Sequence, residues 1–162
     1  MTVKPTYRSV AGRIRQELPA LKRVTLRAIS AFEEGLRTGD DRFFDSAALN
    51  LHAYYSGVEQ LFEQIAKRID GSVPEGPGWH VDLLGQMASS IAEVRPPVIS
   101  SDVQAQLDRY RGFRHVVRNV YTFNLDSQQM KSLVDDLPRA FEVLQAALEK
   151  FADLLDAVAS ED

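Results

Sequence analysis

Four arginines and one histidine are concentrated between Arg109 and Leu125, in a stretch that contains no acidic residue. The whole chain carries a net charge of −4, so this segment is a local excess of positive charge. Guanidinium groups match phosphate oxygens bidentately, and an imidazole moves protons near neutral pH. These are groups suited to cleaving RNA, whose own 2′-hydroxyl is the nucleophile, by proton transfer and stabilisation of the pentacoordinate phosphate.

If this segment is helical, it has one apolar face and one basic face. The apolar face would hold Phe113, Val116, Val117 and Val120. The opposite face would hold Arg111, Arg114, His115, Arg118 and Asn119, with Tyr121 at its border. The basic face either binds phosphate or is merely solvated, in which case acids of a neighbouring helix, such as Glu59 and Glu63, would pair with its arginines. The pattern alone favours the solvated face.

Composition predicts one soluble domain over residues 1–162, with its core at about 9–158. Hydrophobic residues make up 44% of the chain, which is typical of a globular protein. No apolar run approaches the roughly 20 residues of a membrane span, and Met1 to Arg15 lacks the apolar region of a signal peptide. The absence of cysteine excludes disulfides and thiolate zinc sites. We therefore expect a cytoplasmic protein.

The three histidines do not have the spacing of a metal site, and no nucleotide-binding glycine motif is present. We therefore expect neither a metal nor a cofactor. His52 lies beside the apolar stripe of its helix and is interpreted as structural. His80 follows the only tryptophan. It is either a catalytic or ligand-binding residue or a packed, hydrogen-bonded one at a helix terminus, and we favour the second role.

Helical periodicity dominates the chain, and no strand is predicted. The first helix is expected from Ser9 to Leu36, with Pro19 either delaying its start or bending it. The second helix ends at Asp70–Gly71. Its apolar stripe comprises Phe44, Ala48, Leu51, Tyr55, Val58, Phe62, Ile65 and Ile69.

Three further helices are predicted after a loop over residues 71–78. A short one spans Trp79 to Val94, and a fourth spans Ser101 to Phe123 with an interruption near Gly112. Asp126 caps the fifth, which is kinked at Pro138. The stripe of the fifth helix comprises Met130, Val134, Leu137, Phe141, Leu144, Leu148, Phe151, Leu155 and Val158. Long amphipathic helices with short connections predict an all-α fold, an antiparallel four-helix-bundle core with an extra short helix.

The run from Phe113 to Tyr121, followed by Leu125–Asp126, resembles the signature helix of the HepT-like HEPN proteins. These are helical-bundle ribonuclease toxins of prokaryotic toxin–antitoxin pairs. The segment from Leu51 to Glu59 resembles the second bundle helix of that family, and Trp79–His80 and Arg95–Pro96 also match it. The resemblance extends from about Ala47 to Leu148 and implies a HEPN-like fold.

The catalytic pattern of that family is an arginine, four to six residues, and then a histidine, with a tyrosine two positions later. The resemblance places the arginine at Arg114 and the tyrosine at Tyr121, so the histidine position falls on Asn119. Asparagine donates hydrogen bonds to phosphate but performs no acid–base chemistry. His115, one turn earlier, would then transfer the proton. In another register, Arg109 and His115 satisfy the pattern, but only the first register accounts for Tyr121.

The resemblance implies a homodimeric, metal-independent endoribonuclease toxin whose partner is a minimal nucleotidyltransferase antitoxin. Arg114, His115 and Asn119 would form the catalytic site, and RNA would also contact three further arginines, Arg109, Arg111 and Arg118. Tyr121 matches the tyrosine that some partner nucleotidyltransferases adenylylate. The alternative function is a catalytically degenerate module that binds RNA or a nucleotidyltransferase without cleaving RNA. Asn119 favours the degenerate module, whereas the basic face with His115 favours the nuclease.

Overall fold

A computed structural model describes residues 3–121 and 124–161. Over these ranges the chain forms five α-helices and one π-helical turn, and the only strand-like pairing is an isolated bridge between Ile91 and Arg95. The all-α, HEPN-like prediction is confirmed. The elements are α1 Val3–Thr38, α2 Arg42–Ile65, the π-helical turn Ala66–Asp70, α3 Trp79–Met87, α4 Ser101–Asn119 and α5 Ser127–Ala159.

The four long helices contact one another in a closed cycle, in which α1 packs on α2 and α5, and α4 packs on α2 and α5. Arg15 near the start of α1 pairs with Asp153 and Asp156 near the end of α5. Arg68, just after α2, donates to Ser9 of α1 at 3.1 Å. These contacts show that α2 and α5 both run antiparallel to α1. None of the helices in the described ranges is long and apolar enough to cross a membrane.

The bundle core includes the stripes predicted for the second and fifth helices. Phe44 and Val158, at the outer ends of the two stripes, are half-buried, and all the other predicted members are buried. In α5 the helix and its stripe continue through Pro138. Asp126 caps α5 by accepting a hydrogen bond from the backbone N–H of Gln128 at 2.9 Å.

Two predicted helix boundaries and one predicted interruption are wrong. α1 begins at Val3 and runs through Pro19, so the proline does not delay its start. α4 continues through Gly112 without interruption, since a helical glycine costs only about 1 kcal/mol and buried side chains on both sides hold the helix in place. α4 ends at Asn119, because Val120 is extended; the predicted end, Phe123, lies outside the described residues.

The predicted end of the short helix at Val94 is also wrong, because α3 stops at Met87. A tight turn follows, in which Ile91 and Arg95 exchange backbone hydrogen bonds. This turn directs Arg95 to Asp70, and both carboxylate oxygens accept from the guanidinium at 2.7 Å. The two side chains are 1% and 0% exposed. The buried pair therefore fixes the segment after α3 to the end of the π-helical turn.

Candidate functional site

Arg114, predicted for the exposed face of the fourth helix, is only 6% exposed. It lies four positions after Tyr110 and seven after Leu107, which are both buried, so it continues the core stripe of α4. Val116 is only half-buried, and Val120 is 42% exposed. The predicted placement of Arg114 is wrong because the stripe through Leu107 and Tyr110, rather than Val116 and Val120, faces the bundle.

The guanidinium of Arg114 forms an ion pair with Glu59, a buried carboxylate on α2. Arg114 Nη1 and Nη2 lie 2.9 and 3.1 Å from Oε1 and Oε2 of Glu59, a bidentate arrangement. Nη1 also donates to Ser56 Oγ at 3.3 Å, and the guanidinium carbon lies 4.9 Å from the centre of the Tyr55 ring. For Arg114, the interpretation that an acid of the second helix partners the arginines is confirmed, with Glu59 as that acid.

His80 at the start of α3 completes this cluster, which we call the Glu59–Arg114–His80 cluster. Its Nδ1 lies 2.7 Å from Glu59 Oε2 and 3.0 Å from Arg114 Nη2. Its ring packs on Trp79 with the ring centres 3.7 Å apart. The packing and hydrogen bonding expected for His80 are therefore confirmed. Unlike its two partners, the His80 side chain is 28% exposed, so the cluster reaches the surface through the imidazole.

The short distance to Glu59 assigns the hydrogen on the His80 ring. A carboxylate accepts only, so a nitrogen 2.7 Å from its oxygen must donate. Nδ1 therefore carries hydrogen, and Arg114 Nη2 makes an electrostatic contact rather than donating to it. In the neutral ring the lone pair is then on Nε2, for which no hydrogen bond is found in residues 3–121 and 124–161.

The C-terminal end of α4 carries the exposed part of the predicted site. His115, Arg118 and Asn119 are all exposed, and Arg118 has no ion pair in the described part of the chain. Asn119 Nδ2 donates to the His115 backbone carbonyl at 2.6 Å and lies 3.5 Å from the ring Nε2. Beyond the helix an open depression is lined by Arg118, Asn119, Val120, Tyr121 and Asn124.

Tyr121 is 74% exposed, but it does not lie on the helix as predicted, because α4 ends two residues earlier. The other two arginines of the segment have acidic partners. Arg109 contacts Asp136 Oδ2 at 2.7 Å on α5, and Arg111 contacts Asp108 Oδ1 at 2.7 Å on its own helix. Exposed pairs of this kind contribute roughly 0–1 kcal/mol, so a phosphate could replace the carboxylate at little cost.

His52 on α2 lies close enough to the basic segment to be affected by it. Burial lowers the pKa of His52, and the positive charges of Arg114 and Arg118 lower it further. Both effects favour the neutral ring. The sequence predicted a structural role for His52 but not its proximity to Arg118. Among the described residues, no group of three or more histidine, aspartate or glutamate side chains is arranged to hold a metal ion.

The sequence model of the family described as HepT-like protein matches residues 46–155. The chain belongs to the HepT-like HEPN family. No match was found among curated proteins, and none among solved structures. The matched part of this HepT-like protein contains the Glu59–Arg114–His80 cluster and the exposed end of α4.

The buried cluster of the HepT-like chain left a signal in its sequence. Glu59 lies four positions after Tyr55 and three before Phe62, so it is in phase with the stripe of α2. Arg114 is in phase with the stripe of α4 in the same way. Two opposite charges in the core phase of two helices predict a buried pair. No local pattern predicted that His80 would join them.

Proposed function

We propose that this chain is the toxin of a toxin–antitoxin pair and acts as a metal-independent endoribonuclease in a homodimer. Membership of the HepT-like family supports this proposal, and so does the arrangement of the basic segment. The observation that carries it is the difference between Arg118 and the arginines upstream. Arg109, Arg111 and Arg114 each contact a carboxylate, whereas Arg118 has none in the described ranges and adjoins His115 and Asn119.

In this proposal Arg118 binds the scissile phosphate, with Asn119 donating a second hydrogen bond through its amide. His115 transfers the proton. The 2′-oxygen of RNA attacks phosphorus while the bond to the 5′-oxygen breaks, which gives a 2′,3′-cyclic phosphate and a 5′-hydroxyl end. Arg109 and Arg111 bind flanking phosphates by exchanging their surface carboxylates. Arg114, being buried against Glu59, holds α4 in position and does not itself contact the phosphate.

The small number of groups that one chain offers at this helix end supports the proposed homodimer. Two copies of α4 near a two-fold axis would bring two sets of Arg118 and His115 to one substrate, and isologous dimers are the commonest oligomers. The partner antitoxin in this proposal is a minimal nucleotidyltransferase. Tyr121, with a side chain 74% exposed, is accessible to such a modifying enzyme.

The test compares wild type, His115→Ala and Asn119→His on one single-stranded RNA with EDTA present. We expect wild type to cleave and His115→Ala to be slower by about 10²- to 10⁴-fold, the usual contribution of acid–base catalysis. Asn119→His should be faster than wild type. Arg139→Ala is a matched control, because Arg139 is an exposed arginine on α5. Cleavage only in the absence of EDTA would contradict the metal-independent mechanism.

A second function is favoured by the state of Asn119. Its amide donates to the His115 carbonyl at 2.6 Å and cannot transfer a proton, so the histidine position of the motif is inert. The chain would then be a degenerate module that binds RNA or a nucleotidyltransferase without cutting. An inactive wild type combined with an active Asn119→His variant would establish this function and overturn the nuclease proposal.

A further inference from the structure

We propose that His80 is a proton-transfer residue of this chain, with Nε2 accepting the proton and Glu59 holding the ring. This inference rests on the proposed ribonuclease function and adds a catalytic group to it. His80 lies outside the basic segment in the sequence, 34 positions before Arg114. The fold nevertheless brings its Nδ1 to 3.0 Å from Arg114 Nη2.

The first support is the orientation of the imidazole. Hydrogen bonding of Nδ1–H to a carboxylate fixes the tautomer, directs the opposite nitrogen outward from the carboxylate, and stabilises the imidazolium formed on proton uptake. Glu59 is suited to this task because its side chain is only 6% exposed and its oxygen lies 2.7 Å from Nδ1. Stacking on Trp79 restricts the ring further.

The second support is the charge of the cluster. A buried carboxylate without a partner would be costly, and Arg114 offsets that cost through its bidentate contact. Glu59 therefore keeps a charged partner beneath the imidazole. The proton that Nε2 accepts gives the cluster a net charge of +1, which favours binding of the phosphate whose negative charge grows in the transition state.

The third support is access. The imidazole is 28% exposed, while its two charged partners are 6% and 7% exposed. A substrate can therefore reach the ring but not the groups that hold it. Arg111 on α4 pairs with the exposed carboxylate of Asp108. It can exchange this weak surface pair for a phosphate.

In the reaction, Nε2 removes the proton from the 2′-hydroxyl as the oxygen attacks phosphorus. The phosphorus bond to the 5′-oxygen breaks, and that oxygen takes a proton from His115, which regains one from water. The imidazolium of His80 then returns its proton to solvent. Because the two histidines act on different oxygens, removal of either should slow cleavage.

The decisive variant is His80→Asn, because an asparagine amide replaces the Nδ1–H donor to Glu59 and lacks the Nε2 lone pair. We expect a fall in kcat of about 10²- to 10⁴-fold with unchanged RNA affinity and an unchanged melting temperature. Added imidazole should restore part of the activity of His80→Ala. Val81→Ala, an exposed neighbour on α3, is the control and should behave as wild type.

Nitrogen NMR of the wild-type protein provides a second measurement that does not depend on catalysis. We expect the neutral His80 ring to carry hydrogen on Nδ1, and Glu59→Gln to shift the population toward the other tautomer. A wild-type ring with hydrogen on Nε2 would overturn the inference. Wild-type cleavage with full activity in His80→Asn would overturn it while leaving the proposed function intact. Absence of cleavage by wild type would overturn the proposed function and with it the role of His80.

Discussion

In residues 3–121 and 124–161 the bundle contains two buried arginine–carboxylate pairs, one closed and one open, which differ in how many of the arginine's donors have an acceptor. All five donors of Arg95 are used, because two go to Asp70 and three to the backbone carbonyls of Ser89, Pro96 and Gln86. Arg114 instead faces Glu59, Ser56 and the imidazole of His80, and its Nε has no partner in the described part of the chain.

In our proposal this difference separates an ion pair that only stabilises the fold from one that also orients a catalytic histidine. The Asp70–Arg95 pair fixes a tight turn and has no histidine in contact with it. The Glu59–Arg114 pair carries a part-exposed histidine on one of its carboxylate oxygens. A pair that only joined α2 to α4 would not need that imidazole.

The largest loss of stability is expected when the closed pair, Asp70–Arg95, is broken. Arg95→Met leaves the Asp70 carboxylate buried and removes five hydrogen bonds, so we expect a loss of about 3–5 kcal/mol in the free energy of unfolding. Urea denaturation measures the loss. Arg139→Met, at an exposed position of α5, is the control and should lie within about 0.5 kcal/mol of wild type. A small loss in Arg95→Met would show that the closed pair does not hold the fold.

A smaller loss is expected for Arg114→Met, about 2 kcal/mol by the same measurement. Glu59 would keep the hydrogen bond from His80, as Asp70 would keep one from Gln86. The Glu59 cluster also reaches solvent, so its remaining carboxylate is less costly than that of Asp70. Equal losses in Arg114→Met and Arg95→Met would show that the open and the closed pair contribute equally to stability.

The sequence predicted the stripes of α2 and α5 because their buried residues recur at helical spacing over many turns. It misplaced Arg114, since the local run of valines after Phe113 suggested a different core face. The correct face depends on the packing of Leu107 and Tyr110 against other helices. The end of α3 at Met87 depends likewise on the distant pairing of Arg95 with Asp70, which no local pattern encodes.

The salt dependence of RNA binding tests whether Arg118, which has no ion pair in the described ranges, contacts phosphate. Each phosphate contact on single-stranded nucleic acid contributes roughly 0.7 to the slope of log affinity against log salt. We expect Arg118→Ala to reduce this slope by about that amount, because Arg118 has no ion pair to exchange in the described ranges. Arg139→Ala is the control for the loss of one charge. An unchanged slope in Arg118→Ala would show that Arg118 does not contact the RNA phosphates.

The smallest effect is expected in the pKa of His52, which is lowered by the positive charges of Arg114 and Arg118. We expect NMR titration to give a pKa below the ordinary 6.5, and Arg118→Ala to raise it while Arg109→Ala leaves it unchanged. The unfolded chain binds this proton more readily than the folded one, so the contribution to stability falls as pH drops through 6.5. A pKa unaffected by Arg118→Ala would show that Arg118 lies too far from His52 to influence its charge.

The central claim is that this HepT-like chain cleaves RNA with its own side chains and the 2′-hydroxyl of the substrate. The most direct measurement is the chemistry of the RNA ends after incubation of the wild-type protein with single-stranded RNA in EDTA. We expect fragments with 2′,3′-cyclic phosphate and 5′-hydroxyl ends. Intact RNA at protein concentrations that saturate its binding would contradict the claim, and so would fragments with 5′-phosphate ends.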